Sequence, residues 1–311
     1  MYKLQIEKAG TLSGHQNPIF AVENGPDPVT VFTAGNDKGV VQWNLDTMAF
    51  EKILYPVRFS VYALHLIAGS TLLAIGTREG KVHVVDTRDQ RLVATLEHHW
   101  RPVFSIKSYQ HKPELVVSSE DGSVSIWNTA TFELLYFFKV SAQTVRAVAI
   151  SNDEQWVVFG TKEGEVKLYH AVDYTFVEDL PPHTMPVTAL CFSPDGRYLL
   201  TGGRDAQLHV LDVGGFKMVK AFTPHLFTVY AIAYHPRLPI FATASRDKSI
   251  KIWAADDFRL LRAVSFEKGF DSHLLSINDI VWNRFKNQLI SVSDDKQAMV
   301  WDVDWKDGDG S

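Results

Sequence analysis

The stretch Ala244-Ser245-Arg246-Asp247-Lys248-Ser249-Ile250-Lys251-Ile252-Trp253 decides the fold. Ile250 and Ile252 alternate with Lys251 and Trp253, and period two with β-branched residues is strand chemistry. Arg246-Asp247-Lys248 reads as a tight turn, because an Asp side chain bonds the backbone just ahead of it. The same strand–turn–strand unit recurs along the chain. Steps of 42 residues back from Trp253 reach Leu211, Tyr169, Trp127, Val85 and Trp43, and a seventh copy ends at Trp301 after a step of 48. Six positions before each lies an acid: Asp37, Glu79, Asp121, Glu163, Asp205, Asp247 and Asp295.

A second series runs 28 residues upstream of the first: His15, Val57, His99, Ser141, His183, His225 and His273. Two series in register establish a repeat. A period of about 40–45 residues with four strands per unit means a propeller blade. The expected fold is therefore all-β, a seven-bladed propeller of four-stranded antiparallel blades. A length of 311 residues would otherwise suggest about two domains, but blades cannot bury their faces alone and must stack into one ring.

The chain resembles the WD-repeat (Trp-Asp repeat) β-propellers. The residues that carry the resemblance are Gly14-His15, the acid turns, Trp43-Asn44, Trp127-Asn128, Trp301-Asp302 and Phe192-Ser193-Pro194-Asp195-Gly196, and it extends from about Leu4 to Val303. It implies that each repeat runs outer strand d, then a, b and c of the next blade. An N-terminal strand at Ala9–Leu12, or already from Leu4, would then close the last blade beside Met299–Val303. One domain over residues 1–303 and a Gly/Asp-rich tail over 304–311 follow. The resemblance also implies an internal network of His, Ser or Thr, Asp and Trp. Examples are His15-Thr33-Asp37-Trp43 in blade one and His225-Asp247-Trp253 in blade six, with Thr243 or Ser245 supplying the hydroxyl. Blades three (His99, Asp121, Trp127) and seven (His273, Asp295, Trp301) would match. A Ser-His-Asp set suggests a hydrolase, but recurrence blade after blade argues for a structural role. Blades two and four lack both His and Trp, and blade five has Leu211. These three are expected to be held by packing alone.

Strand a follows the His series. Four positions on, Ile19, Val61, Val103, Val145, Val187, Val229 and Ile277 are all β-branched. Six positions on, Ala21, Ala63, Ser105, Ala147, Ala189 and Ala231 are small, as crowding round an axis demands, and Asp279 is the exception.

Composition narrows the function. The net charge of −5 with both signs interspersed argues against nucleic acid as the main partner. One cysteine, Cys191, allows no intrachain disulfide and fits a reducing compartment. There is no signal-type apolar segment and no apolar run near the ~18 residues of a membrane helix, so the expected location is cytoplasmic, without membrane contact. The His residues show no metal spacing. Gly76-Thr77-Arg78-Glu79-Gly80-Lys81 falls one residue short of a phosphate loop and reads as a turn. No cofactor or metal is expected.

The candidate site lies five positions past the His series: Phe20, Tyr62, Phe104, Arg146, Thr188, Tyr230 and Asn278, with Asp279 beside them. In a propeller these would ring the top mouth of the central channel. Aromatics and Arg are enriched at interface hot spots, so the ring either binds a partner or plugs the channel. A second ring precedes the acids, with Arg78, Lys162, Arg204 and Arg246 basic and Glu120 and Asp294 acidic. It gives either solvated turns or a bipolar surface that orients a charged peptide. The extra residues of the last repeat, Phe266 to Ser272, would put Phe266 and Phe270 on that face. The reading is a non-enzymatic interaction scaffold that holds a protein or peptide segment on the top face. The alternative is a small-ligand binder or enzyme in the channel, using Arg146 and Asp279. A third possibility is a structural subunit that binds through blade edges.

Overall fold

The computed structural model describes residues 3–306. They form 28 strands in seven four-stranded antiparallel sheets. Blade one shows the order: a (Ile19–Asn24), b (Thr30–Gly35), c (Gly39–Asn44) and d (Ala49–Pro56), each hydrogen-bonded to the next. The seven a strands pack against one another in a closed circle round the axis. Strand b is fully buried in blades one, three and six, whereas the d strands face solvent.

The core lies between blades. Phe32 of blade one shares a cluster with Leu64, Leu73 and Ile75 of blade two, and Val158 of blade four shares one with Val187 and Leu199 of blade five. A single blade would expose these faces, so burial makes the ring one cooperative body.

Closure is by the chain ends. Lys3–Ser13 forms the outer strand of the last blade, antiparallel to Gln297–Lys306, with pairs from Leu4↔Trp305 to Ser13↔Gln297 and a bulge between Lys8 and Gly10. The last strand runs past Val303 to Lys306, because Leu4 and Trp305 both pack on the blade-seven core. Asp304 to Lys306 are thus strand rather than tail, and residues 307–311 lie outside the described residues. No open edge remains where the ring meets itself.

Two turns repeat. Each b–c turn places the residue after the acid in the left-handed region: Lys38, Gly80, Gly122, Gly164, Ala206, Lys248 and Lys296. At Gly122 (φ 80°) a Cβ would stand 2.2 Å from the Gln143 carbonyl oxygen, so only glycine fits. Each c–d turn of blades one to six also has a left-handed residue: Met48, Gln90, Phe132, Tyr174, Phe216 and Phe258. Tyr174, Phe216 and Phe258 are buried there. Packing of the side chain under its blade offsets the backbone strain of a non-glycine at positive φ.

Candidate functional site

One local device builds the mouth. In all seven a strands the register slips between the fourth and sixth residues past the His position, as between Ile19 and Ala21 or Val145 and Ala147. The residue between is unpaired. A bulge of this kind bends the strand and re-aims a side chain. Here it turns Phe20, Tyr62, Phe104, Arg146, Thr188, Tyr230 and Asn278 into the channel, where all seven line a cavity of ≈ 750 Å³.

The ring is not uniform. Phe20 and Tyr62 stack at 5.3 Å between centroids, and Tyr62 and Phe104 follow at 5.4 Å. The Arg146 guanidinium lies 4.9 Å over Phe104, and burial lowers its pKa from the ordinary value. Thr188 is turned back to the backbone, its hydroxyl donating to Val229 O at 2.5 Å. Asn278 donates to Ile19 O and to Asp294, each at 2.8 Å. Below it, Asp279 accepts the N–H groups of Val22 (3.1 Å) and Ile280 (2.9 Å). Burial nevertheless pushes its pKa up to about 7. Of the turn residues, Arg78, Glu120 and Asp294 join the channel wall. Lys162, Arg204 and Arg246 stay on their turns outside it.

Deeper in the channel, Glu23 lies 3.5 Å from His65 and 3.7 Å from Arg284. Burial works against the Glu23 carboxylate, but His65, Arg284 and Lys107 hold it below the usual range.

The His–Asp–Trp positions form buried relays. In blade six Trp253 Nε1 donates to Thr243 Oγ1 (2.9 Å), which meets His225 Nε2 (2.8 Å), and His225 Nδ1 meets Asp247 (3.0 Å). An indole only donates. The Thr243 proton is therefore free for Nε2, which puts the ring proton on Nδ1, facing Asp247. Ser245 is left to accept the Asp247 N–H at 3.0 Å. Asp247 also accepts the Leu226 N–H, tying the b–c turn to the d–a loop. Blades one (His15, Thr33, Asp37, Trp43) and seven (His273, Ser291, Asp295, Trp301) repeat the pattern. Blade three takes its hydroxyl from strand c instead: Ser125 meets both His99 and Trp127, because Val117 fills the strand-b position. Thr33, Ser125, Thr243 and Ser291 are fully buried, so these sets offer no reachable nucleophile.

Blade five departs from packing alone. His183 bonds Thr201 (2.8 Å) and Asp205 (3.0 Å), and His209 stacks on it at 4.0 Å where blade six has a Trp-capped network. In blade four Ser141 donates to Glu163 at 2.8 Å.

Sequence reasoning missed the rim. The d–a loops expose Trp100 (70%), Leu226 (81%), Phe227 (56%) and Leu274 (57%), with Phe59, Met185 and Leu275 also exposed. All sit one or two positions past the His series, so reading the two columns beside the histidines would have found them. On the inserted segment, a 3₁₀ turn spans Phe266–Lys268. Phe266 is exposed, while Phe270 packs against Trp301 at 6.5 Å and under Arg262.

Comparison with known families bears on blades one, five, six and seven. The family profile "WD domain, G-beta repeat" matches residues 6–44, 174–212, 216–254 and 265–302. The chain belongs to the WD-repeat propeller family. This WD-repeat protein also matches "Nucleolar protein 10-like, N-terminal domain" over 29–171, the arc where blades two and four lose His and Trp. It is similar to the Dictyostelium discoideum "Retinoblastoma-binding-like protein E" (36% identical over 74 residues, 23% of this chain and 14% of the relative). It is also similar to the "Striatin homolog" of the same organism (28% over 138 residues, 42% and 13%). The chain thus spans about one seventh of the length of either relative. No helix among the described residues is long and apolar enough to cross a membrane, and no group of three or more of their His, Cys, Asp and Glu side chains is arranged to hold a metal ion.

Proposed function

We propose that this WD-repeat propeller is a non-enzymatic protein-interaction module that holds a segment of a partner protein on its top face. The carrying observation is the apolar rim: Trp100, Leu226, Phe227 and Leu274 stand in solvent round a mouth already lined by Phe20, Tyr62 and Phe104. Exposed apolar side chains gathered round a concavity mark a docking surface. The mouth aromatics would serve as hot-spot contacts. They leave a cavity of ≈ 750 Å³ rather than filling it, which speaks for an anchor site over a plug. A relative named for retinoblastoma binding is in keeping with this reading, and the match to a family of nucleolar name is in keeping with a workplace in the nucleus as well as the cytoplasm.

The test is cross-linked capture from source-cell lysate with three proteins of equal thermal stability. These are the natural chain, a rim variant (Leu226→Ser, Leu274→Ser) and a mouth variant (Phe104→Ala, Tyr230→Ala). Partners held by the first and lost by both variants support the top face. Capture of the same partners by all three refutes it and moves the interaction to the blade edges.

A further inference from the structure

The channel mouth holds a desolvated charge that no ion pair or hydrogen bond answers among the described residues. Glu23 has His65 and Arg284, and Asp279 has two backbone N–H groups. Lys107, lower down, is exposed. Arg146 differs. Held in the wall by its bulge, it has no carboxylate within ion-pair distance and no hydrogen bond among the described residues. Its contact is the Phe104 ring. A guanidinium carries five N–H donors and is costly to desolvate without an anion. Stacking on an aromatic offsets only part of that cost.

The surroundings raise the positive potential. Arg78 shares the cavity wall, and Arg204 is close enough to disfavour the charge on Arg146. Glu120 favours the charge on Arg146 from beyond ion-pair distance. The Tyr62 and Tyr230 hydroxyls, also free of hydrogen bonds among the described residues, lie in the same wall and interact with Arg146. Opposite, Asp279 is a weak counter-charge for a cation, since both its oxygens are engaged by backbone N–H groups and burial raises its pKa to about 7.

We infer that the mouth takes an anionic side chain of the bound segment, a carboxylate or a phosphoryl group, held by the Arg146 guanidinium with donation from Tyr62 and Tyr230. This inference rests on the top-face reading. Two N–H groups of Arg146 suit a bidentate acid, and the rim would hold apolar residues on either side of it.

The test uses the full chain and four peptides, acetyl-Ala-X-Ala-amide with X aspartate, phosphoserine, asparagine or lysine, followed by the Arg146 Nε–H resonance. The resonance is assigned with Arg146→Lys. The aspartate or phosphoserine peptide is expected to bind about tenfold tighter than the asparagine peptide, and Arg146→Gln should cut that ratio to about twofold or less. The tighter of the two anions identifies carboxylate or phosphoryl as the natural source. A preference for lysine, equal binding of all four, or no saturable shift with either anion overturns the inference. These failures stay separate from failure of the top-face reading: if rim and mouth variants still lose the captured partners, only the anionic anchor is wrong.

Discussion

Removing the Thr243 hydroxyl is the sharpest test of what holds a blade rigid. Thr243→Val keeps shape and volume but leaves two buried groups without partners, the Trp253 indole N–H and His225 Nε2. Each orphan costs about 1–3 kcal/mol, so the variant should lose about 2–6 kcal/mol. Unfolding entropy of roughly 2.1 cal/mol/K per residue, over 311 residues, gives about 0.65 kcal/mol/K. The expected fall in Tm is therefore about 3–9 °C. Blade five supplies the internal control. Thr201 is equally buried and bonds His183, but Leu211 replaces the Trp, so Thr201→Val makes one orphan and should cost about half as much. Thermal unfolding followed by far-UV circular dichroism measures both. Equal shifts, or a Thr243→Val shift under about 1 °C, would refute the claim that the Trp–Thr–His–Asp relay stiffens the blade.

Other predictions concern pH, turns and edges. Burial lowers His209 to about 4, with His183 adding to it, and burial beside Arg237 lowers His235 to about 4. The unfolded chain takes up these protons near pH 6.5 and the folded chain near 4, so stability is full above 6.5 and falls as pH drops to 4, by on the order of 3 kcal/mol each. Tm measured from pH 7 to 4.5 should decline, and the double variant His209→Gln, His235→Gln should flatten the decline. An unchanged slope would rule these groups out. Gly122→Ala meets the Gln143 and Ser141 carbonyls at 2.2 and 2.4 Å and should cost more than about 2 kcal/mol by urea denaturation, whereas Gly215→Ala meets nothing within 4 Å and should cost under about 1. The outer strand Leu134–Lys139 exposes Leu134, Leu135, Tyr136 and Phe137 on an unpaired edge. Leu135→Lys is expected to reduce concentration-dependent association in light scattering, and equal scattering would show that the edge is not adhesive.

By itself the sequence determined the fold and the place of the ring. A 42-residue period, acids at the turns and β-branched residues at the start of each a strand admit only stacked four-stranded blades, and counting from the histidines reaches every residue of the mouth. The pattern works because each blade solves the same packing problem with the same spacing. What it could not carry depends on contacts between positions that no spacing relates. Thr243 rather than Ser245 completes the relay because strand pairing brings its hydroxyl, and not its neighbour's, between the Trp and the His. Ser125 does the same work in blade three from another strand, and His209 reaches His183 in blade five by stacking across strands. The end of the last strand at Lys306 depends on Leu4 and Trp305 meeting from opposite ends of the chain. Only the folded ring shows that Asp279 is answered by backbone N–H groups while Arg146 forms no ion pair with an acid among the described residues, since ionic partners round a closed channel come from blades far apart in sequence.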